Sequence, residues 1–158
     1  MYSLSLKDRL ILLPKASLRL RINLGLRNSA ADSSQRMLNA IEPGSVVPIH
    51  RHRKTSETVV VLRGRVVEEY YDGAGVLVES FVLGDCHVAD APRNDVLDFA
   101  PRNDVLDFAP RNDVPVACAL NIPAGQWHTI KALVSGTVIL EMKDGAYEPI
   151  SDDDILRK

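Results

Sequence analysis

The chain has 158 residues, of which 46% are apolar and 25% charged, with 19 basic and 21 acidic side chains giving a formal net charge of −2. This describes one soluble domain long enough for a buried core, and it excludes the strongly basic face of a nucleic-acid binder. No apolar run approaches the roughly 20 residues that span a bilayer. Lys7, Asp8 and Arg9 interrupt the apolar N-terminus where a signal peptide needs its apolar core.

Along the chain the pattern is mostly period two, which predicts strands. Only residues 5–13 hint at a helical period. In SLRLRINLGL, Leu18, Leu20, Ile22, Leu24 and Leu26 share one parity. Arg19 and Arg21 alternate with them, either facing solvent or lining a barrel mouth where they hold an anionic substrate. A polar loop, NSAADSSQ, leads to RMLNAIEPG, which stops at Pro43-Gly44. VVPIHRH and ETVVVLRG follow, separated by the polar turn RKTS. RVVEEYY and VLVESFVL flank Asp72-Gly73-Ala74-Gly75, a hairpin signal because glycine tolerates positive φ. VACALNI, WHTI and GTVILEM complete the set. Many short strands joined by turns predict an all-β fold, a small antiparallel sandwich or barrel whose closure removes exposed edges. The two cysteines, Cys86 and Cys118, form no recognisable framework, so the expectation is a reduced, cytoplasmic protein with Cys118 in the core.

One stretch breaks this order. The unit APRNDVLDF occurs twice without a difference from Ala91 and begins a third time, running through Val114. A proline every ninth residue breaks a helix, and the absence of glycine excludes a glycine-rich calcium roll. Residues 84–115 therefore read as a loop inserted in a single domain spanning 1–158, either passenger sequence or an interaction loop. Long surface insertions cost little, because closure entropy grows only logarithmically. His87 falls in this loop and fits no ligand spacing.

The chemistry concentrates in GSVVPIHRHRKTSETVVVLRG, residues 44–64. His50 and His52 are two apart in a strand, so both imidazoles point to one face. Glu57 opens the next strand beside them. Two neutral imidazoles and a carboxylate converging from a hairpin suit a divalent metal.

The spacing Gly44, His50-x-His52, Glu57, Gly64 resembles the first motif of the cupin superfamily. IPAGQWHTI resembles the second, with Pro123, Gly125 and His128 in place, although Ala117 and Ala132 stand where that motif usually has glycine and asparagine. The resemblance implies a double-stranded β-helix (jelly-roll) barrel in which His50, His52, Glu57 and His128 bind one metal ion. From RLRINLGL to EMKDGAYEP the chain is also similar to the WbuC-type cupin metalloproteins, which are associated with bacterial surface-polysaccharide gene sets and have no firmly assigned reaction. That family's short segment before the Pro-x-Gly turn marks 84–115 as extra.

Three histidines and a glutamate suit Fe, Mn, Ni, Co or Zn. The expectation is a metalloenzyme acting on a small polar substrate such as a sugar or nucleotide sugar, by isomerisation, epimerisation or oxygen-dependent oxidation. A non-catalytic, metal-dependent sugar-binding or regulatory module is the alternative. Arg51, beside the ligands, suits an anionic substrate or a solvated turn, and Tyr147 either closes over the site or lies in a surface turn. Trp127, of opposite parity to His128, packs outside the cavity. Cupins often pair, so a homodimer is expected, with the N-terminal strand as the exchanged or edge-pairing element.

Overall fold

The computed structural model describes residues 17–85 and 117–157. The apolar segment at 5–13, His87 and the whole APRNDVLDF repeat lie outside the described residues. Within them the regular structure is almost entirely strand: β1 (Arg21–Gly25), β2 (Ser34–Ile41), β3 (Ile49–His50), β4 (Glu57–Arg63), β5 (Arg65–Tyr71), β6 (Leu77–Gly84), β7 (Ala119–Ile122), β8 (Trp127–Ala132), β9 (Thr137–Asp144) and β10 (Ile155–Leu156). A single 3₁₀ turn, Asp152–Asp154, precedes β10. No helix among the described residues is long and apolar enough to cross a membrane.

The strands form two five-stranded antiparallel sheets, ordered β1-β2-β9-β4-β7 and β10-β3-β8-β5-β6. They enclose one core of Ile41, Val59, Val61, Val66, Tyr70, Leu83, Ile122, Ile130, Ala132 and Ile139. Alternation explains this: Val59 and Val61 on β4 and Val66 and Tyr70 on β5 point to the same lumen, while their neighbours face out. This is the small antiparallel all-β fold expected from the alternation.

Gly64 lets one residue carry the chain from β4 in the first sheet to β5 in the second. Its φ is +88°, and a Cβ there would meet Thr137 Oγ1 at 2.5 Å and Thr137 Cα at 3.0 Å. Only glycine fits both demands. The β5–β6 hairpin is fixed by Asp72, whose Oδ1 accepts hydrogen bonds from the Ala74 and Val76 N–H groups, each 2.9 Å.

One point that the sequence reading left open is placed by the structure, and one expectation is corrected. The leucine row of the N-terminal strand faces outward: Leu24 packs with Leu38 against Ala40 and Val138. Arg21 and Asn23 instead share the parity of the lumen, since Arg21 pairs with the core residue Ile41. The corrected expectation concerns Cys118, which is half-buried and disulfide-bonded, not a reduced core thiol. The chain has one other cysteine, Cys86, outside the described residues.

The two ends of the interrupted segment meet. Leu83 forms a bridge with Ala117, the Gly84 N–H donates to the Ala117 carbonyl at 3.0 Å, and the Val61 N–H donates to the Cys118 carbonyl at 2.8 Å. The barrel is thus continuous across the gap between β6 and β7.

Candidate metal centre

Strand register assembles the site. His50 on β3 lies directly opposite His128 on β8, and the same row continues to Tyr70 on β5. Glu57 comes from β4 in the other sheet, where it pairs with Lys143 of β9. The four residues singled out in the sequence, His50, His52, Glu57 and His128, therefore converge from both sheets at one end of the lumen. One ligand atom from each lies within 4.8 Å of all the others. The imidazole centroids are 4.4 Å apart for His50 and His128 and 5.1 Å for His50 and His52.

The surrounding backbone holds the rings in place. His50 Nδ1 is 2.9 Å from the Pro48 carbonyl and His128 Nδ1 is 3.0 Å from the Gln126 carbonyl. A carbonyl accepts only, so each Nδ1 carries the proton and each Nε2 presents a lone pair, the arrangement that orients metal-binding histidines. Gly125, at φ +83° in the turn before β8, donates its N–H to the His52 carbonyl at 2.7 Å and so ties the two motifs together.

The electrostatics favour the metal-binding forms. Burial, followed by the neighbouring His128, lowers the His50 pKa to about 4. Burial also lowers that of His128. Burial alone would push Glu57 up, but its contact with His52 and the charge of Lys143 bring it down to about 2. Both directions, lowered for the His50 and His128 imidazoles and lowered for the Glu57 carboxyl, favour the forms that bind a metal.

A test of fit comes from Glu57. Its buried Oε2 accepts no hydrogen bond of regular geometry, and its nearest neighbours are His52 Nε2 at 2.9 Å and Lys143 Nζ at 3.5 Å. Lys143 Nζ also lies 3.0 Å from His52 Nε2. Ligand atoms of Glu57 and His52 therefore lie together beside a cationic group, the position that a metal ion would take. The donor set and the unsatisfied carboxylate fit a divalent ion.

Lys143 was not anticipated from the sequence, although it follows Ile139 and Glu141 at period two into the lumen. Nor was Asp154. It accepts a hydrogen bond from Arg51 Nε at 2.9 Å and another from Arg53, which hold its carboxyl far below the usual range. The Arg51 N–H donates to the Asp154 carbonyl at 3.1 Å, and Ile155 pairs with His50. The C-terminal segment thus buttresses the His-x-His strand.

The expected substrate contacts separate. Arg51 points away from the cluster, stacked 4.4 Å from the Trp127 ring centroid and paired with Asp154. Trp127 is on this outer face, as its parity requires. Arg19 is exposed. Arg21 is half-buried on the lumen side, near the Glu141 carboxyl. Tyr147 stacks on Arg27, whose guanidinium carbon is 5.1 Å from the ring centroid. Both border a cavity of about 290 Å³ that also touches Asn23, Gln35 and Met37. Gln35 pairs with Lys143, so this cavity adjoins the cluster through one side-chain row.

No curated protein matches the chain. Among solved structures, BH2720 from Bacillus halodurans is 14% identical, with a TM-score of 0.54 over 95% of this chain and 85% of its own. KdgF from a Halomonas species is 12% identical, with a TM-score of 0.50 over 80% of this chain and 82% of that one. Oxalate decarboxylase of Bacillus subtilis, described with Mn(II) centres, is 15% identical, with a TM-score of 0.50 over 82% of this chain but only 26% of its own length. At these identities the likeness establishes the fold, which is that of the cupin superfamily. A family model described as a domain of unknown function (DUF6016) matches residues 4–83, half of the chain and three of the four clustered residues. The chain belongs to the DUF6016 family.

Proposed function

We propose that this protein is a metal-dependent cupin that binds one divalent ion through His50, His52, Glu57 and His128 and acts on a sugar or related small polar molecule. The observation that carries this reading is the convergence of four ligand atoms from two sheets within 4.8 Å. A polar surface cluster has no reason to bury a carboxylate oxygen without a regular donor, whereas a metal site does. The Mn(II) centres of the fold relative oxalate decarboxylase make manganese one reasonable occupant, beside Fe, Ni, Co and Zn.

When bound, the ion polarises a carbonyl or hydroxyl oxygen and lowers the pKa of coordinated water. The chain's own residues do the rest. The Pro48 and Gln126 carbonyls keep two imidazoles in the metal-binding tautomer. Lys143 offers a cation to an anionic oxygen beside Glu57. Arg27 and Tyr147 at the neighbouring cavity suit a ring bearing hydroxyls and a carboxylate or phosphate. The similarity to WbuC-type proteins supports a role in bacterial surface-polysaccharide metabolism, of isomerase, epimerase or oxygenase type.

The test combines elemental analysis of the purified chain with a screen of sugars and nucleotide sugars. The reading requires about one metal per chain and consumption of at least one sugar, both lost in a His50→Ala/His52→Ala variant. A ligand bound and returned unchanged supports a binding module instead.

A further inference from the structure

Glu68 lies in the middle of β5, facing the lumen, and is 1% exposed. Its neighbours along the strand on that face are Val66 and Tyr70. Across the sheet it sits between Ile130 on β8 and Phe81 on β6. Four large apolar side chains frame the carboxyl, and neither of its oxygens has a hydrogen-bond partner. The hydroxyl of Tyr70, its neighbour on that face, donates instead to the Asn121 carbonyl at 3.5 Å. Burying such a group without partners is among the costly things a fold does, and a leucine would fill the same space without that penalty.

The position is not arbitrary. Tyr70, two residues on, stands opposite His128. Glu68 is therefore diagonal to His128 across the strand pair, about 7–8 Å away by sheet geometry, on the side that looks toward the four-residue cluster. Glu57 and Glu141 face it from the opposite sheet.

We propose that Glu68 is the proton-exchanging group of this site, meeting a hydroxyl- or carbonyl-bearing small molecule held at the His50, His52, Glu57 and His128 cluster. The inference rests on the metal-site reading above. Its unsatisfied oxygens are met by the hydroxyl groups of such a ligand, which names the class as polyhydroxylated. Burial, followed by the charges of Glu57 and Glu141, holds the carboxyl well above its ordinary pKa, so it enters as the neutral acid. In the transfer its O–H bond breaks as an O–H bond forms on the ligand oxygen, and the carboxylate left behind regains the proton in the reverse step. The titratable groups around it are Glu57, Glu141 and Lys143 from the opposite sheet, His128 from β8, and Glu69, which adjoins it on its own strand but points to the outer face toward Lys131; β6 contributes the Phe81 ring at this level. Glu141 is only part-buried by surface area, yet burial followed by the charge of Glu57 raises its pKa to about 8.

The test uses the full chain as wild type, Glu68→Gln and Glu68→Leu, loaded with Mn(II) and titrated with D-gluconate, a hydroxy acid with a polyol tail. Infrared difference spectra of the metal-free proteins give a second readout. The wild type at neutral pH should show C=O stretches of protonated carboxyls, of which one is lost in Glu68→Gln while that of Glu141 remains, and the lost band is the one that shifts when gluconate joins the Mn(II)-loaded wild type. Mn(II) affinity should stay within about twofold in both variants, since Glu68 is no ligand, while gluconate affinity falls tenfold or more, as expected when a partner of a bound hydroxyl is lost. Metal-free Glu68→Leu should melt higher than wild type by about 2–4 °C or more. Mn(II) binding with equal gluconate affinity in all three proteins, no gluconate binding to the wild type, or no carboxyl band lost in Glu68→Gln overturns the proposal. Failure of the wild type to bind Mn(II) instead overturns the metal reading beneath it.

Discussion

Replacing His50 by glutamine should change how the metal-free protein responds to acid. The His50 pKa is about 4, against an ordinary value of 6.5, because the ring is buried and faces His128. As pH falls, the unfolded chain takes up its proton first, so the stability that His50 contributes is complete above about pH 6.5 and is lost on the way down to pH 4. A shift of 2.5 pH units at about 1.4 kcal/mol each sets a ceiling near 3.4 kcal/mol, of which about 2 kcal/mol is gone by pH 5 and about 3 kcal/mol by pH 4. Glutamine does not titrate and lacks this loss. Urea unfolding followed by the fluorescence of Trp127, the sole tryptophan, in the presence of chelator from pH 7.5 to 4 gives both curves. The difference in unfolding free energy between wild type and variant should shrink by about 2 kcal/mol between pH 7 and pH 5. A difference that stays flat across that range refutes a buried, neutral imidazole at position 50.

Other outcomes follow from the same contacts. Lys143→Met should tighten Mn(II) binding by tenfold or more in calorimetry, because Lys143 Nζ lies 3.5 Å from Glu57 Oε2 and 3.0 Å from His52 Nε2, and a like charge so near the ligand atoms of a divalent ion would be unfavourable even at an effective dielectric near 20. Glu141→Gln should flatten a loss of stability that runs from about pH 4.5 up to about pH 8, since a raised carboxyl pKa stabilises the fold at low pH and ceases to as pH rises. Asp154→Ala should leave the barrel folded yet weaken metal affinity by about tenfold, because Arg51 and the His-x-His strand lose their buttress. Deleting residues 91–113 and joining the ends with a short glycine-containing turn should leave strand content and metal binding intact, because Gly84 and Ala117 are already hydrogen-bonded across the gap. A deletion variant that cannot fold would show the repeat to be part of the barrel.

The sequence made the site legible where chemistry and parity agree. His50 and His52 share a face by period two, Glu57 opens a strand, and Gly64 closes the motif at the one position where any side chain would strike Thr137. Position along a strand was also readable: Trp127 lies outside because His128 lies inside. Parity did not decide where both faces are apolar or both polar. The N-terminal leucines cover the outer face of the sheet, so their row said nothing about the lumen. In RVVEEYY two adjacent glutamates left open which one enters the core, and only the pairing of Glu68 with Ile130 decides it. Glu141 and Lys143 follow Ile139 into the lumen, but the intervening Leu140 and Met142 gave the opposite row an equal claim. Asp154 was out of reach for another reason: it acts across 103 residues, through a C-terminal strand only two residues long.

The central claim is that this barrel holds a metal ion at the four-residue cluster, and elemental analysis tests it most directly. Wild type and the His50→Ala/His52→Ala variant would be purified without chelator, loaded in parallel with Mn(II), desalted and measured by plasma mass spectrometry. About one metal per wild-type chain, and a small fraction of that in a variant that keeps its strand content by circular dichroism, is the predicted result. Equal metal in both proteins, or none in the wild type after loading, contradicts the assignment.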